Sequence, residues 1–296
     1  SLLASAGQDG SIHLWEQDTG QSNRLLETTM GAVYEIAWSP DSSLLASATT
    51  DGVVRLWDVA TGSVSRAFEG YAGSVTSLAW SPDGTMIVSA VDDDTLRLWD
   101  ARTGWPLSVV ENESGMVVDV AWSPDGEKLA STSYGGAIQL WDADNERLLQ
   151  ILEVNSGVMW SIAWSPDGVL LATSGIDGTI QLWDSVTGFL LRNLRGHVGT
   201  VQRVVWSPDG ATLISTGNDG SVRMWNTSSV FDAAEVRQLP SNTATSSSRW
   251  ETTPPASPTA THRPLEAMTF TPWPSVTPSF GLPTSAPGDS FTPNTE

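Results

Sequence analysis

The hexapeptide AWSPDG occurs at Ala79–Gly84, Ala121–Gly126 and Ala163–Gly168, with variants at Ala37–Ser42 (AWSPDS) and Val205–Gly210 (VWSPDG). Its tryptophans, Trp38, Trp80, Trp122, Trp164 and Trp206, lie 42 residues apart. A second series, Trp15, Trp57, Trp99, Trp141, Trp183 and Trp225, keeps the same spacing. A fixed period near 40 with two Trp columns means one supersecondary unit copied in tandem. Such a unit cannot bury its apolar face alone, so neighbouring copies must stack. Most of the chain is therefore scaffold, and function has to be read from where the copies differ.

Each copy reads as three strands and a fourth that leads into the next copy. Around Trp80 the pattern predicts strands over Val75–Trp80, Thr85–Ala90, Thr95–Trp99 and Pro106–Val110. SPDG joins the first two as a tight turn: Pro presets φ, Asp bonds its own backbone and Gly takes the positive-φ place. Asp-Gly pairs such as Asp51-Gly52 and Asp177-Gly178 make the second hairpin. Thr-Gly pairs such as Thr61-Gly62 and Thr103-Gly104 turn the third strand into the fourth.

The LWD endings at Leu56–Asp58, Leu98–Asp100, Leu140–Asp142 and Leu182–Asp184, with the SPDG turns and LAS second strands, resemble the WD-repeat propeller family. The resemblance covers about four fifths of the chain. It implies an all-β ring of four-stranded antiparallel blades around a channel. Six blades are recognisable, standing alone or within a seven-bladed ring, and the first is incomplete because Ser1–Ser5 already reads as a second strand. Arrays this regular resemble bacterial WD-repeat proteins, in which a propeller is often joined to a signalling, kinase or nucleotide-binding module. A start in mid-repeat makes the chain read as a piece of a longer protein.

The expected organisation is a propeller over 1–239, a Ser/Thr/Pro-rich linker over 240–263, and a final segment over 264–296. Within that segment Leu265–Pro272 resembles the first strand Val117–Pro124, with Phe270 in the Trp column. It is expected either to close the first blade or to begin a worn seventh. The proline-rich remainder is poor strand material.

The net charge is −20, with Lys128 the one lysine. So acidic a surface repels phosphate backbones and anionic lipid, which makes nucleic acid and membrane surfaces poor candidate partners, and it reads first as a solvated surface. No apolar run reaches the roughly 18–20 residues of a membrane span. No signal peptide is visible, a weak observation in a chain that starts in mid-repeat; the expected location is cytoplasmic rather than extracellular. The chain contains no Cys, and His13, His197 and His262 lie far apart. Asp92-Asp93-Asp94 lacks the alternating ligand spacing of a calcium loop. No metal, cofactor or phosphate-loop motif emerges, so no cofactor is expected.

Ser215, His197 and Asp219 have the composition of a catalytic triad. With Trp225 they also match the tetrad that the resembling family uses as a buried hydrogen-bond chain. In that tetrad a hairpin Asp orients His, His meets Ser, and Ser meets the indole N–H. The Ser/Thr–Asp–Trp part recurs without His at Ser5–Asp9–Trp15, Ser47–Asp51–Trp57, Ser89–Asp93–Trp99 and Thr173–Asp177–Trp183. Partial copies around a ring favour the structural role. The His place is taken by Thr29, Tyr71, Glu113 and Asn155 elsewhere, and Gly135 replaces the fourth Asp.

In the resembling family three positions per blade point toward the channel mouth. Here they include Ala32, Tyr34 and Thr50; Ser74, Thr76 and Asp92; Met116, Val118 and Tyr134; Val158, Trp160 and Ile176; and Thr200, Gln202 and Asn218. Two neighbouring blades are apolar at all three, and with Tyr34 they form an expected partner-binding patch. The leading expectation is a monomeric, non-catalytic scaffold for a protein or peptide partner, apolar with basic flanks. The alternatives are an enzyme with its site at the channel mouth and a structural or secreted propeller without a specific ligand.

Overall fold

The computed structural model describes residues 1–27, 31–69, 73–154 and 157–227. The chain divides into two units, Ser1–Leu239 and Pro240–Glu296. The second unit, with the expected linker and the strand at Leu265–Pro272, lies outside the described residues, as do Thr29, Tyr71 and Asn155.

The described residues form six antiparallel sheets. The first holds β1 (Leu2–Ala6), β2 (Ser11–Glu16) and β3 (Ser22–Glu27). The second holds β4 (Val33–Trp38), β5 (Leu44–Thr49), β6 (Val54–Asp58) and β7 (Val64–Phe68). The third runs β8 (Val75–Trp80), β9 (Met86–Val91), β10 (Thr95–Asp100) and β11 (Pro106–Glu111). The fourth runs β12 (Val117–Trp122), β13 (Lys128–Ser133), β14 (Ala137–Asp142) and β15 (Arg147–Glu153). The fifth runs β16 (Met159–Trp164), β17 (Leu170–Gly175), β18 (Thr179–Asp184) and β19 (Leu190–Arg195). In the sixth, β20 (Val201–Trp206), β21 (Thr212–Gly217) and β22 (Val222–Asn226) are described. Successive first strands β4, β8, β12, β16 and β20 touch one another, so they line the centre of the ring.

The SPDG turns behave as their chemistry dictates. Asp83 Oδ1 accepts from Ser81 Oγ at 2.6 Å and from the Thr85 amide at 3.0 Å, while Gly84 adopts φ of 72°. The two Trp columns do different work. The indole N–H of Trp15, Trp57, Trp99, Trp141, Trp183 and Trp225 donates within its own blade to a second-strand hydroxyl, at 2.8–3.0 Å. Trp80, Trp164 and Trp206 instead donate to the backbone oxygens of Ala37, Ala121 and Ala163 in the preceding blade, at 3.1–3.3 Å.

Apolar cores lie between blades. Val54, Leu56 and Phe68 of the second blade pack with Val75, Leu78, Ile87 and Trp99 of the third, and the other junctions repeat that scheme. Five such cores join the six blades in series. Among the described residues none joins the sixth blade to the first.

Candidate functional site

Each of the five first strands carries a β-bulge one residue after its start. Pairing with the second strand skips a residue between Val33 and Glu35, Val75 and Ser77, Val117 and Asp119, Met159 and Ser161, and Val201 and Arg203. A bulge leaves one residue out of the ladder and re-aims its side chain. The skipped residues are Tyr34, Thr76, Val118, Trp160 and Gln202, one of the columns expected at the channel mouth. The other two columns are tied together by backbone: Tyr134 N donates to Met116 O at 2.8 Å and Ile176 N to Val158 O at 3.0 Å.

Tyr34, Tyr134 and Ile176 are exposed, while Met116, Val118, Val158 and Trp160 are half-buried. Tyr134 and Trp160 meet edge to face, with ring centroids 6.5 Å apart. The indole N–H of Trp160 is covered and has no acceptor among the described residues. Tyr34 is set apart on the second blade, and the third blade interposes the polar Ser74, Thr76 and Asp92, with Thr76 Oγ1 donating to Val117 O at 2.9 Å. On the sixth blade Gln202 donates to Asn218 at 2.8 Å.

The residues just after the bulges, Glu35, Ser77, Asp119, Ser161 and Arg203, turn to the channel and were missed in the sequence. Their signal was a 42-residue column holding two acids and one Arg. In four of them a side-chain oxygen accepts a backbone N–H from the next blade: Glu35 from Leu78 at 3.3 Å, Ser77 from Val120 at 3.4 Å, Asp119 from Ile162 at 2.9 Å, and Ser161 from Val204 at 3.4 Å. Arginine has no acceptor. Arg203 instead reaches Glu35 at 2.6 Å and Asp119 at 3.1 Å, while Ser77 donates to the other Asp119 oxygen at 2.7 Å. Burial pushes the Glu35 carboxyl up to about 7; Asp119 adds to the rise and Arg203 opposes it. Asp119 and Glu35 in turn hold the Arg203 guanidinium above its usual range against burial. A cavity of about 780 Å³ surrounds this cluster and reaches Tyr34.

The tetrad is assembled on the sixth blade. His197 Nδ1 lies 3.1 Å from Asp219, Nε2 lies 2.7 Å from Ser215 Oγ, and Trp225 Nε1 donates to the same Oγ at 2.9 Å. The His197 side chain is fully buried. Asp219 also accepts from the amides of Val198 and Ser221, each at 3.0 Å, and from Ser221 Oγ. These bonds, Ser221's foremost, hold its carboxyl well below the usual range. Where His is missing, Asp51 and Asp93 pair with Arg55 and Arg97 at 2.6 and 2.7 Å. At Gly135 a Cβ would come within 2.5 Å of the Ser114 carbonyl, so close approach of the loop explains the lost Asp.

Glu113 is exposed. Among the described residues no group of three or more His, Asp or Glu could hold a metal ion, and no helix is long and apolar enough to cross a membrane.

Four-stranded blades stacked through apolar cores, with in-blade Trp–Ser/Thr links and SPDG turns, define a WD-type β-propeller, an architecture suited to protein-interaction scaffolds. A family model described as the IFT122 first beta-propeller matches residues 32–229, and the chain belongs to that family. No match among curated proteins was found.

Proposed function

We propose that the chain is a non-catalytic interaction scaffold that binds a peptide or partner domain on the channel-mouth face. The observation that carries this reading is the edge-to-face contact of Tyr134 and Trp160, at bulge and hairpin positions the blade itself does not need. The Trp160 column holds Tyr34, Thr76, Val118 and Gln202 in the other copies, so blade geometry demands no indole there. Exposed Ile176, with half-buried Met116, Val118 and Val158, extends an apolar surface around the aromatic pair. Aromatic residues and Met are the types enriched in interface cores. Exposed Asp92, Asp94 and Glu113 stand on the neighbouring blade and loop, so the fitting partner is apolar with Lys or Arg flanks.

The test is capture of partners by wild type and by Trp160→Ala, with equal melting temperatures checked first. Loss of a buried interface Trp costs about 2 kcal/mol or more, roughly a thirtyfold drop in affinity. The wild-type association rate should also fall as salt rises. Recovery of the same partners with the same affinity by both proteins would sink the reading.

A further inference from the structure

The ring has an uneven construction. Five apolar cores hold neighbouring blades together, and among the described residues the sixth blade has none toward the first. What the sixth blade has instead is Arg203, placed where the other copies carry an acceptor. It bonds Glu35, on the blade beyond the first, and Asp119, on the fourth. We propose that Arg203 is the clasp of the ring, fixing the sixth blade across the channel, and that a proton on Glu35 tightens the clasp.

Two carboxylates and one guanidinium leave one uncompensated negative charge in the channel when both acids are ionised. The Asp119 side chain is 4% exposed and that of Glu35 15%, whereas Arg203 is 41% exposed, so water screens the two carboxylates less than it screens the guanidinium. A proton on Glu35 removes the excess and leaves Arg203 paired with Asp119.

The charged groups facing Glu35 are Asp119 from β12 and Arg203 from β20. From β8 come only the Ser77 hydroxyl and the Leu78 amide, and the β1 residues lining the cavity, Ala4, Ser5 and Ala6, are uncharged. Arg203 keeps its charge throughout, and burial brings the Glu35 carboxyl up to about 7.

The sign follows from linkage. In the closed ring Glu35 titrates near 7, and in an opened, hydrated channel its carboxyl returns toward 4.5. Closure is therefore fully favoured below about pH 4.5 and weakens as pH rises through about 7. At tenfold per pH unit, the closed-to-open ratio changes by at most roughly 300-fold.

The experiment uses the full chain, as wild type, Glu35→Gln and Arg203→Gln, followed by thermal melting and hydrogen exchange from pH 5 to pH 8, with exchange corrected for its intrinsic pH dependence. In wild type, protection of the β20, β21 and β22 amides should fall by roughly ten- to seventyfold across this range. Glu35→Gln, neutral at every pH, should hold its protection and melt above wild type at pH 8. Arg203→Gln removes the clasp, so its β20, β21 and β22 amides should be less protected than in wild type throughout the range. Because Arg203 opposes the rise, the transition of this variant should also move to higher pH. A wild-type sixth blade insensitive to pH, or the same loss in wild type and Glu35→Gln, would overturn the clasp. Undiminished protection of the sixth blade in Arg203→Gln, or a transition left in place, would overturn it independently.

Discussion

Met224 occupies the same place in its third strand as Leu56 does in the second blade, yet Met224 is 73% exposed and Leu56 is fully buried. Val222 and Val54 repeat the contrast, at 68% and 0%. On the other side of the gap, Leu3 stands where Leu45 is buried in the second blade, and is exposed. The repeat thus writes the same apolar face six times and the described ring packs it five times. Leu56→Ala should cost about 2–5 kcal/mol through loss of buried area and the cavity left behind. Met224→Ala should change stability by less than about 0.5 kcal/mol, as at an ordinary surface position. Urea unfolding of both variants checks the contrast; equal losses would mean that the face of the sixth blade is packed in solution.

His197→Ala should destabilise the fold by about 1–3 kcal/mol. The substitution strips Ser215 and Asp219 of a partner in a buried chain that ends on the Trp225 indole, and an unmade buried hydrogen bond carries the desolvation cost of its groups. Partner binding should be nearly unaffected, because the tetrad is separate from Trp160 and Tyr134. A melting curve that stays in place while an activity disappears would show that the tetrad is not structural.

How much of this the sequence carries depends on whether a feature repeats. Two Trp columns, the SPDG turns and the LWD endings recur with a fixed period, so blade, turn and strand could be read directly. The channel cluster could not. Simple alternation puts Tyr34 and Glu35 on opposite faces of one regular strand, whereas the bulge lifts Tyr34 out of the ladder and turns Glu35 inward. Nor does a 42-residue column say that Arg203 reaches back to Glu35, because that contact depends on ring curvature. The seam was hidden for the opposite reason: Val222 and Met224 look in sequence just like their buried counterparts.

Ser42 is the one SPDG-type turn residue that is not glycine. Its φ is 60°, beside 72°, 77°, 73° and 69° at Gly84, Gly126, Gly168 and Gly210. A Cβ costs roughly 1–2 kcal/mol in this left-handed region. Ser42→Gly should recover about 0.5–1 kcal/mol, and Gly84→Ala should lose a similar amount. At Gly84 a Cβ would meet Pro40 Cδ at 3.5 Å, an ordinary contact, so the cost there is conformational and not a clash. Paired unfolding curves would test this, and Ser42→Gly at or below wild-type stability would contradict it.

Two sets of carboxyls shape the dependence of stability on pH, and they act in opposite directions. In the SPDG turns Asp41, Asp83, Asp125 and Asp209 are held below their ordinary value, chiefly by the hydroxyls of Ser39, Ser81, Ser123 and Ser207. Asp58, Asp100 and Asp142 are lowered in the same way by hydrogen bonds from Thr61, Thr103 and Asn145. A lowered carboxyl contributes stability above its unfolded value near 3.8, and that stability is lost as pH falls through the lower folded value. Glu35 is raised, so its contribution is complete below about 4.5 and disappears as pH climbs through about 7. Self-repulsion from the net charge of −20 also fades as pH approaches the isoelectric point near 4.2, which favours the compact state on the acid side of neutrality. Stability in urea should therefore be greatest near about pH 5, fall on both sides, and lose most of its alkaline limb in Glu35→Gln. A maximum at or above pH 7 in wild type would show that Glu35 is not a leading contributor to the pH dependence.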